Sequence, residues 1–194
     1  VFRDRRKLFR GVWSQVGRDL LRISWEFAEP EEVEDFESKA KLTANKGFLE
    51  IAGSDPVSIA SVRGLDFSEF VTLEVAGAQG AGASPVVGLL FQDKTGRQSG
   101  SLAMLDPSGT QISVMQIDGL KTTPVTQPVK IPKDSSIEVR MASLKLEVRV
   151  KGKKIWTGPQ SEFSSCYMVV GCAPTKGSGV ARFSSRQKAL SSAT

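Results

Sequence analysis

The sequence predicts an antiparallel all-β domain, a sandwich or a barrel, preceded by one amphipathic helix. Three observations carry this. From Leu21 onward, most segments of five to nine residues alternate apolar and polar side chains at the two-residue period of a half-buried strand. Turn chemistry separates them: Ala-Asn-Lys-Gly at 44–47, Asp-Lys-Thr-Gly at 93–96, Asp-Pro-Ser-Gly at 106–109 and Lys-Gly-Lys at 151–153. No helical pattern is interleaved between the strands, which excludes the βαβ arrangement of a parallel sheet.

The helix is predicted over residues 5–21, "RRKLFRGVWSQVGRDLL". Leu8, Phe9, Val12, Trp13, Val16 and Leu20 fall on one face at helical spacing, with Arg6, Lys7, Arg10 and Arg18 mostly opposite. Gly11 and Gly17 weaken it. The apolar stripe is expected to pack on the domain or on an upstream region. A basic amphipathic helix can also lie on an anionic membrane, whereas Asp4 and Asp19 argue against a transit peptide.

The strands then follow in order: "RISWEF", "KAKLTA", "GFLEIAG", "VSIASV", "EFVTLEV", "PVVGLLFQD", "GSLAML", "TQISVMQI", "PVKIP", "SIEVRM", "LKLEVRV", "KKIWTG", "CYMVVGC" and "VARFSS". Trp25 shares parity with Ile23 and Phe27 and reads as core. "VVGLLF" is apolar at nearly every position, which suits a central strand covered on both faces. With Ala142-Ser143 and Gly152-Lys153 at two hairpin tips, one register sends Ile137, Val139, Met141, Leu144, Leu146, Val148, Val150 and Ile155 inward. The other face then carries Glu138, Arg140, Lys145, Glu147, Arg149, Lys154 and Trp156. A slip of one residue would invert the pattern. Trp156 is expected outward, beside Arg149.

The chain's 194 residues suffice for one domain with a real core. Its +5 charge belongs to residues 1–22, which hold seven basic and two acidic side chains; beyond them basic and acidic side chains balance. That leaves no basic face for nucleic acid. Histidine is absent, which removes the commonest general base, the usual zinc ligand and every Ser/His or Cys/His pair. Cys166 and Cys172 would lie about 20 Å apart in an extended strand, too far for a disulfide, so both are expected free and buried. No apolar run approaches a membrane span of about 20 residues. The start at Val1 suggests a piece of a longer polypeptide.

Together, "SSIEVRMASLKLEVRVKGKKIWTG", "FSEFVTLEVAG", "VVGLLFQDKTG", "LAMLDPSGTQISVMQIDG" and "YMVVGCAPTKGSGVARFSS" resemble, in order, the strand pattern of the concanavalin A-like lectin/glucanase superfamily, laminin-G-like members included. The resemblance covers about residues 23–188. It implies a two-sheet antiparallel jelly-roll sandwich, with residues 1–22 as helix and linker and 189–194 as a tail. Bacterial relatives of this kind are often accessory domains of larger proteins, and some relatives hydrolyse glycosides. It points to the extracellular space or cell envelope, while free thiols point the other way.

Glucanase members carry a Glu-apolar-Asp-apolar-Glu strand that sets nucleophile and acid on one face. The nearest match, "EVEDFE" at 32–37, departs from it with Glu34 and Asp35 at the middle positions. It is expected to be a solvated acidic loop, because two-carboxylate hydrolysis needs a fixed separation. "GAQGAG" at 77–82 precedes a strand rather than a helix, so a flexible inter-strand loop is expected and not a dinucleotide fingerprint. Asp55, Asp66, Asp93 and Asp106 sit in different turns, so no metal is expected, and no cofactor. Trp156, Arg149, Arg140 and Glu147 form the candidate binding set: an indole for stacking, with polar groups to orient a ligand. Against this, Arg149 could simply stack on Trp156 as a cross-strand pair. The functional expectation is a non-catalytic module binding a glycan or a protein, as an accessory domain; the alternative is a glycoside-processing hydrolase.

Overall fold

A computed structural model describes residues 10–16, 20–54, 56–62, 70–184 and 187–192. In chain order, β1 (Val12–Val16) and β2 (Leu20–Trp25) lead into a 3-10 helix (Pro30–Asp35). Then come β3 (Phe36–Ser38), β4 (Lys41–Asn45), β5 (Phe48–Ser54), β6 (Ser58–Val62), β7 (Phe70–Val75) and β8 (Ala78–Ala81). The middle of the chain holds β9 (Ala83–Gln92), β10 (Gln98–Leu105), β11 (Gln111–Asp118), β12 (Lys121–Pro124) and β13 (Val129–Lys130). The last third holds β14 (Ile137–Ala142), β15 (Lys145–Val150), β16 (Lys153–Pro159), β17 (Ser165–Pro174), β18 (Ser178–Ser184) and β19 (Gln187–Ser192).

Two large antiparallel sheets form a sandwich. One runs β1-β2-β19-β7-β14-β15-β16; the other runs β12-β11-β10-β9-β17-β6-β3, with β13 beside β11. A smaller sheet, β4-β5-β18-β8, contributes Leu49, Ile51, Ala181 and Phe183 to the same core. The core sits where the inward positions meet: Val71, Leu73 and Val75 of β7, Ile137, Val139 and Met141 of β14, and Val87, Leu89 and Phe91 of β9 are all buried. Strand parity puts these residues on one side and sends their neighbours to the other. Burial of β9 along almost its whole length confirms it as a central strand covered on both faces.

The N-terminal helix is corrected. Where described, this stretch is strand: β1 pairs β2 from Val12–Ser24 to Val16–Leu20, and β2 pairs β19. Residues 1–9 and 17–19 lie outside the described residues. Val12, Trp13 and Val16 suit a strand as well as a helix, Gly11 and Gly17 disfavour the helix, and an open sheet edge supplies hydrogen-bond partners. The seven-stranded sheet thus takes in residues on both sides of the 23–188 span, since β19 runs to Ser192.

The acidic stretch at 32–37 is also corrected. It is not a solvated loop, because Glu32 and Asp35 are buried. The Asp35 carboxylate accepts hydrogen bonds from Arg10 N (2.8 Å), Gly11 N (2.8 Å) and Trp25 Nε1 (2.7 Å). Glu32 accepts four backbone N–H groups: Glu26 and Phe27 on Oε2, Ala28 and Glu29 on Oε1, at 2.9–3.3 Å. This ring of donors holds Phe27 at φ +51°, a left-handed backbone unfavourable to a bulky side chain, with its ring buried. Trp25 packs against Phe36 at a ring-centroid distance of 5.1 Å. Trp25, Ile23 and Phe27 are core, as their parity predicted.

Segment 77–82 is corrected in part: residues 78–81 form β8 against β18. Both hairpin tips move by one residue. The first is Ser143-Leu144 and the second Lys151-Gly152, all four residues at φ 48–77°, the primed-turn backbone that matches strand twist. The shift at the first tip leaves every face unchanged but puts Leu144 in the turn, exposed, instead of in the core.

Cys166 and Cys172 are free and buried on β17, and burial pushes both thiols above the ordinary cysteine range. A thiol reagent such as DTNB should label neither in the native protein and both in denaturant; fast native labelling would contradict this packing. Asp35→Ala should cost about 3 kcal/mol by leaving buried donors unpaired; a urea-unfolding difference under about 1 kcal/mol would show that the carboxylate is dispensable.

Candidate ligand groove

The structure divides the sequence-derived candidate set. Arg140 and Arg149 lie on the outer face of the seven-stranded sheet with Glu147 between them. Arg140 Nη2 lies 2.7 Å and Arg149 Nη2 3.0 Å from Glu147 Oε2. Glu147 is 13% exposed. Burial alone would raise its pKa, but the hydrogen bonds and charges of Arg149 and Arg140 outweigh that and hold the carboxyl below the usual range. Trp156 is not beside Arg149. The register shifts between Val148 and Arg149, so Arg149 pairs Lys154 while Trp156 pairs Val148, which is fully buried. A bulge of one residue at Ile155 therefore turns the indole to the inner side. There it is half-buried against the core and lies over Gly158, where a β-carbon would collide with the ring.

The other candidates also find local tasks. Asp93 accepts from Thr95 Oγ1, Thr95 N and Arg97 N, and Asp106 from Thr110 N and Gln111 N, so each ties its own turn. Asp55 and Asp66 lie outside the described residues.

The larger concavity lies on the opposite side of the sandwich. Parity sends Val86, Gly88 and Leu90 of β9 outward, and their partners Met104, Leu102 and Gly100 of β10 with them. Val86, Leu90, Leu102 and Val169 form a second buried apolar cluster there, with Ile59, Met104, Met115 and Ile117 against it. Gly88 makes room for this layer: a β-carbon would strike the Leu102 side chain that covers it.

At the β3 end this face opens into a groove of about 1340 Å³. Its apolar lining includes the exposed Val57 and Tyr167 and the half-buried Ile59, together with the buried Leu90 and Val169. Tyr167 follows the inward Cys166 on β17, pairs Leu90 and is 38% exposed. Polar groups line the same space, among them Glu37, Lys39, Lys41 and Gln98, and residues 52–54 and 178–180 of the small sheet form another part of its lining. Ser38 Oγ fixes the bend that carries the lysines, donating to Ile59 O (2.8 Å) and accepting from Ala40 N (3.0 Å). A second, smaller cavity of about 490 Å³ is lined by Asp93, Gln160 and the Arg97–Asp118 ion pair, at 2.7 Å.

Sequence reasoning missed the groove. Tyr167 was legible, since the alternation Cys166, Met168, Val170 inward leaves the only tyrosine facing outward. Lys39 and Lys41 were not, because nothing local says that the β3–β4 bend borders this face.

Trp156→Ala should cost about 2 kcal/mol, between a surface and a core aromatic; a urea-unfolding loss near zero would contradict the inward placement. Glu147→Gln should cost about 1 kcal/mol at pH 7. Because the folded pKa is depressed, this contribution is present above the unfolded value of about 4.3 and is lost as pH falls through the folded one. The gap between variant and parent should therefore narrow only as pH falls below the ordinary carboxylate range; a gap independent of pH would rule out the charge.

No protein-family model matches the chain, and no curated protein sequence matches it. Solved structures do. The carbohydrate recognition domain of Emp47p aligns at TM-score 0.63 and 12% identity, over 93% of this chain and all of that one. A carbohydrate-binding module, CBM66 from Bacillus subtilis, aligns at TM-score 0.57 and 14% identity, over 79% of this chain and 94% of its own. A prokaryotic β-1,3-1,4-glucanase (lichenase) derived from a mouse hindgut metagenome aligns at TM-score 0.60 and 7% identity, over 90% of this chain and all of its own. Two packed antiparallel sheets that align with these structures over most of the chain give it their fold, a jelly-roll sandwich of the concanavalin A-like type.

Proposed function

We propose that this chain is a non-catalytic carbohydrate-binding module whose ligand lies in the groove beside Tyr167. The observation that carries the reading is the groove's chemistry: an exposed tyrosine ring and aliphatic side chains beside hydroxyl, amide and charged groups. A sugar ring has that same division, with an apolar face to stack and a polar rim to hydrogen-bond. The lectin, binding-module and glucanase neighbours accord with a carbohydrate-related role and leave binding and hydrolysis both open. Binding is favoured because retaining or inverting hydrolysis takes two carboxylates across the bond, and the described lining offers one, Glu37.

This reading carries an extracellular or cell-envelope setting with it. Free thiols are no obstacle there, since Cys166 and Cys172 are buried and too far apart along β17 to pair. Among the described residues, no helix is long and apolar enough to cross a membrane.

On a glycan array the parent chain should bind, and Tyr167→Ala should weaken its best ligand at least tenfold, about 1.4 kcal/mol, without changing the melting temperature by more than a few degrees. Binding that survives the change would remove the groove from consideration. Saturable release of reducing ends from a bound glycan, lost in Glu37→Gln, would establish the hydrolase instead.

A further inference from the structure

We infer that the groove selects an acidic glycan, one carrying carboxylate or sulfate groups; this rests on the carbohydrate-binding reading and goes on to name the ligand's charge. Lys39 and Lys41 both line the groove and both are exposed. Neither has an ion-pair partner among the described residues. The arginines whose side chains are described form a contrast: Arg10 pairs Glu34, Arg97 pairs Asp118, Arg140 and Arg149 share Glu147, and Arg182 pairs Glu50. Glu37, the one carboxylate of the described lining, already has an interaction of its own. Among the described lining residues the balance of charge is therefore positive, two lysines against Glu37. The Ser38 hydroxyl, bonded to both Ile59 O and Ala40 N, holds the lysine-bearing bend against β6.

The physics fits an extended anionic ligand. Val57, Ile59 and Tyr167 line the same groove as the lysines, and apolar surface next to a charge strengthens a charge–charge contact relative to open water. An ammonium group is a compact point charge without the planar fork of arginine. It reads the presence of an anion more than its shape, so carboxylate and sulfate both satisfy it. Tyr167 supplies the stacking surface that neutral and acidic sugars share.

The test uses the full chain on an array with four arms: oligogalacturonates, their methyl esters, sulfated glycosaminoglycan fragments, and neutral gluco- and manno-oligosaccharides. Binding is expected in one or both acidic arms, weakened at least tenfold by Lys39→Gln with Lys41→Gln and weakened further as salt is raised to 0.5 M, about three times the physiological ionic strength. The double variant should keep the parent's melting temperature. Which acidic arm binds separates a uronate from a sulfate ligand. Binding confined to the neutral or methyl-ester arms, or acidic binding indifferent to the double variant, overturns the charge inference and leaves the Tyr167 groove standing. No binding in any arm overturns the carbohydrate reading itself, and this inference with it.

Discussion

Ten consecutive cross-strand pairs, from Ser165–Gln92 to Pro174–Ala83, fix β17 against β9 at the centre of the eight-stranded sheet. Both the core and the groove depend on that register. In it Cys166, Met168 and Val170 face the core alongside Val87, Leu89 and Phe91, and Cys172 faces Gly53 and Gly179 of the small sheet, all four of these β17 residues buried. The same pairing sends Tyr167 and Val169 to the other side next to Leu90 and Gly88. A slip of one residue would bury the tyrosine and turn the sulfur and aliphatic side chains to water. Two-residue parity makes that an all-or-none choice.

At the corner before β3, buried carboxylates work together with apolar packing. Asp35 and Glu32 bring carboxylates into the interior, where an unpaired charge would be prohibitive. Each is surrounded by N–H donors from the segments it organises. Asp35 joins the start of β1 to the Trp25 indole and so ties the N-terminal strands to the 3-10 helix. Glu32 gathers four successive amides around the turn at Phe27, and its carboxylate supplies the acceptor that this strained backbone needs. The 3-10 helix continues directly into β3, whose Glu37 and Ser38 line the groove, so this acidic corner sets the position of one groove wall.

The two outer faces of the sandwich differ in kind. On the seven-stranded sheet Arg140 and Arg149 share Glu147, and Glu138 lies 3.9 Å from Arg140, so two carboxylates balance the two guanidinium groups. On the eight-stranded sheet the outer surface is largely aliphatic and methionine-bearing, with Tyr167 and two lysines that have no ion-pair partner among the described residues at the end where the groove opens. Free charge next to apolar surface is what an incoming ligand can use.

By itself the sequence determined the strand class, the inward parity of most strands and the core roles of Trp25, Ile23 and Phe27, because these follow from a local two-residue period. It also determined that the cysteines stay apart, from strand rise alone. Tertiary structure decided the rest. Whether residues 12–16 became helix or strand depended on a sheet edge to pair with, since their apolar spacing allowed both. The burial of Glu32 and Asp35 depended on donors from other segments, which no property of "EVEDFE" announces. Trp156 turned inward because one bulge residue entered β16, and a bulge reverses parity without marking the sequence. The groove required β3, β6, β17 and the small sheet to converge from positions up to about 140 residues apart, a juxtaposition that only the folded chain creates.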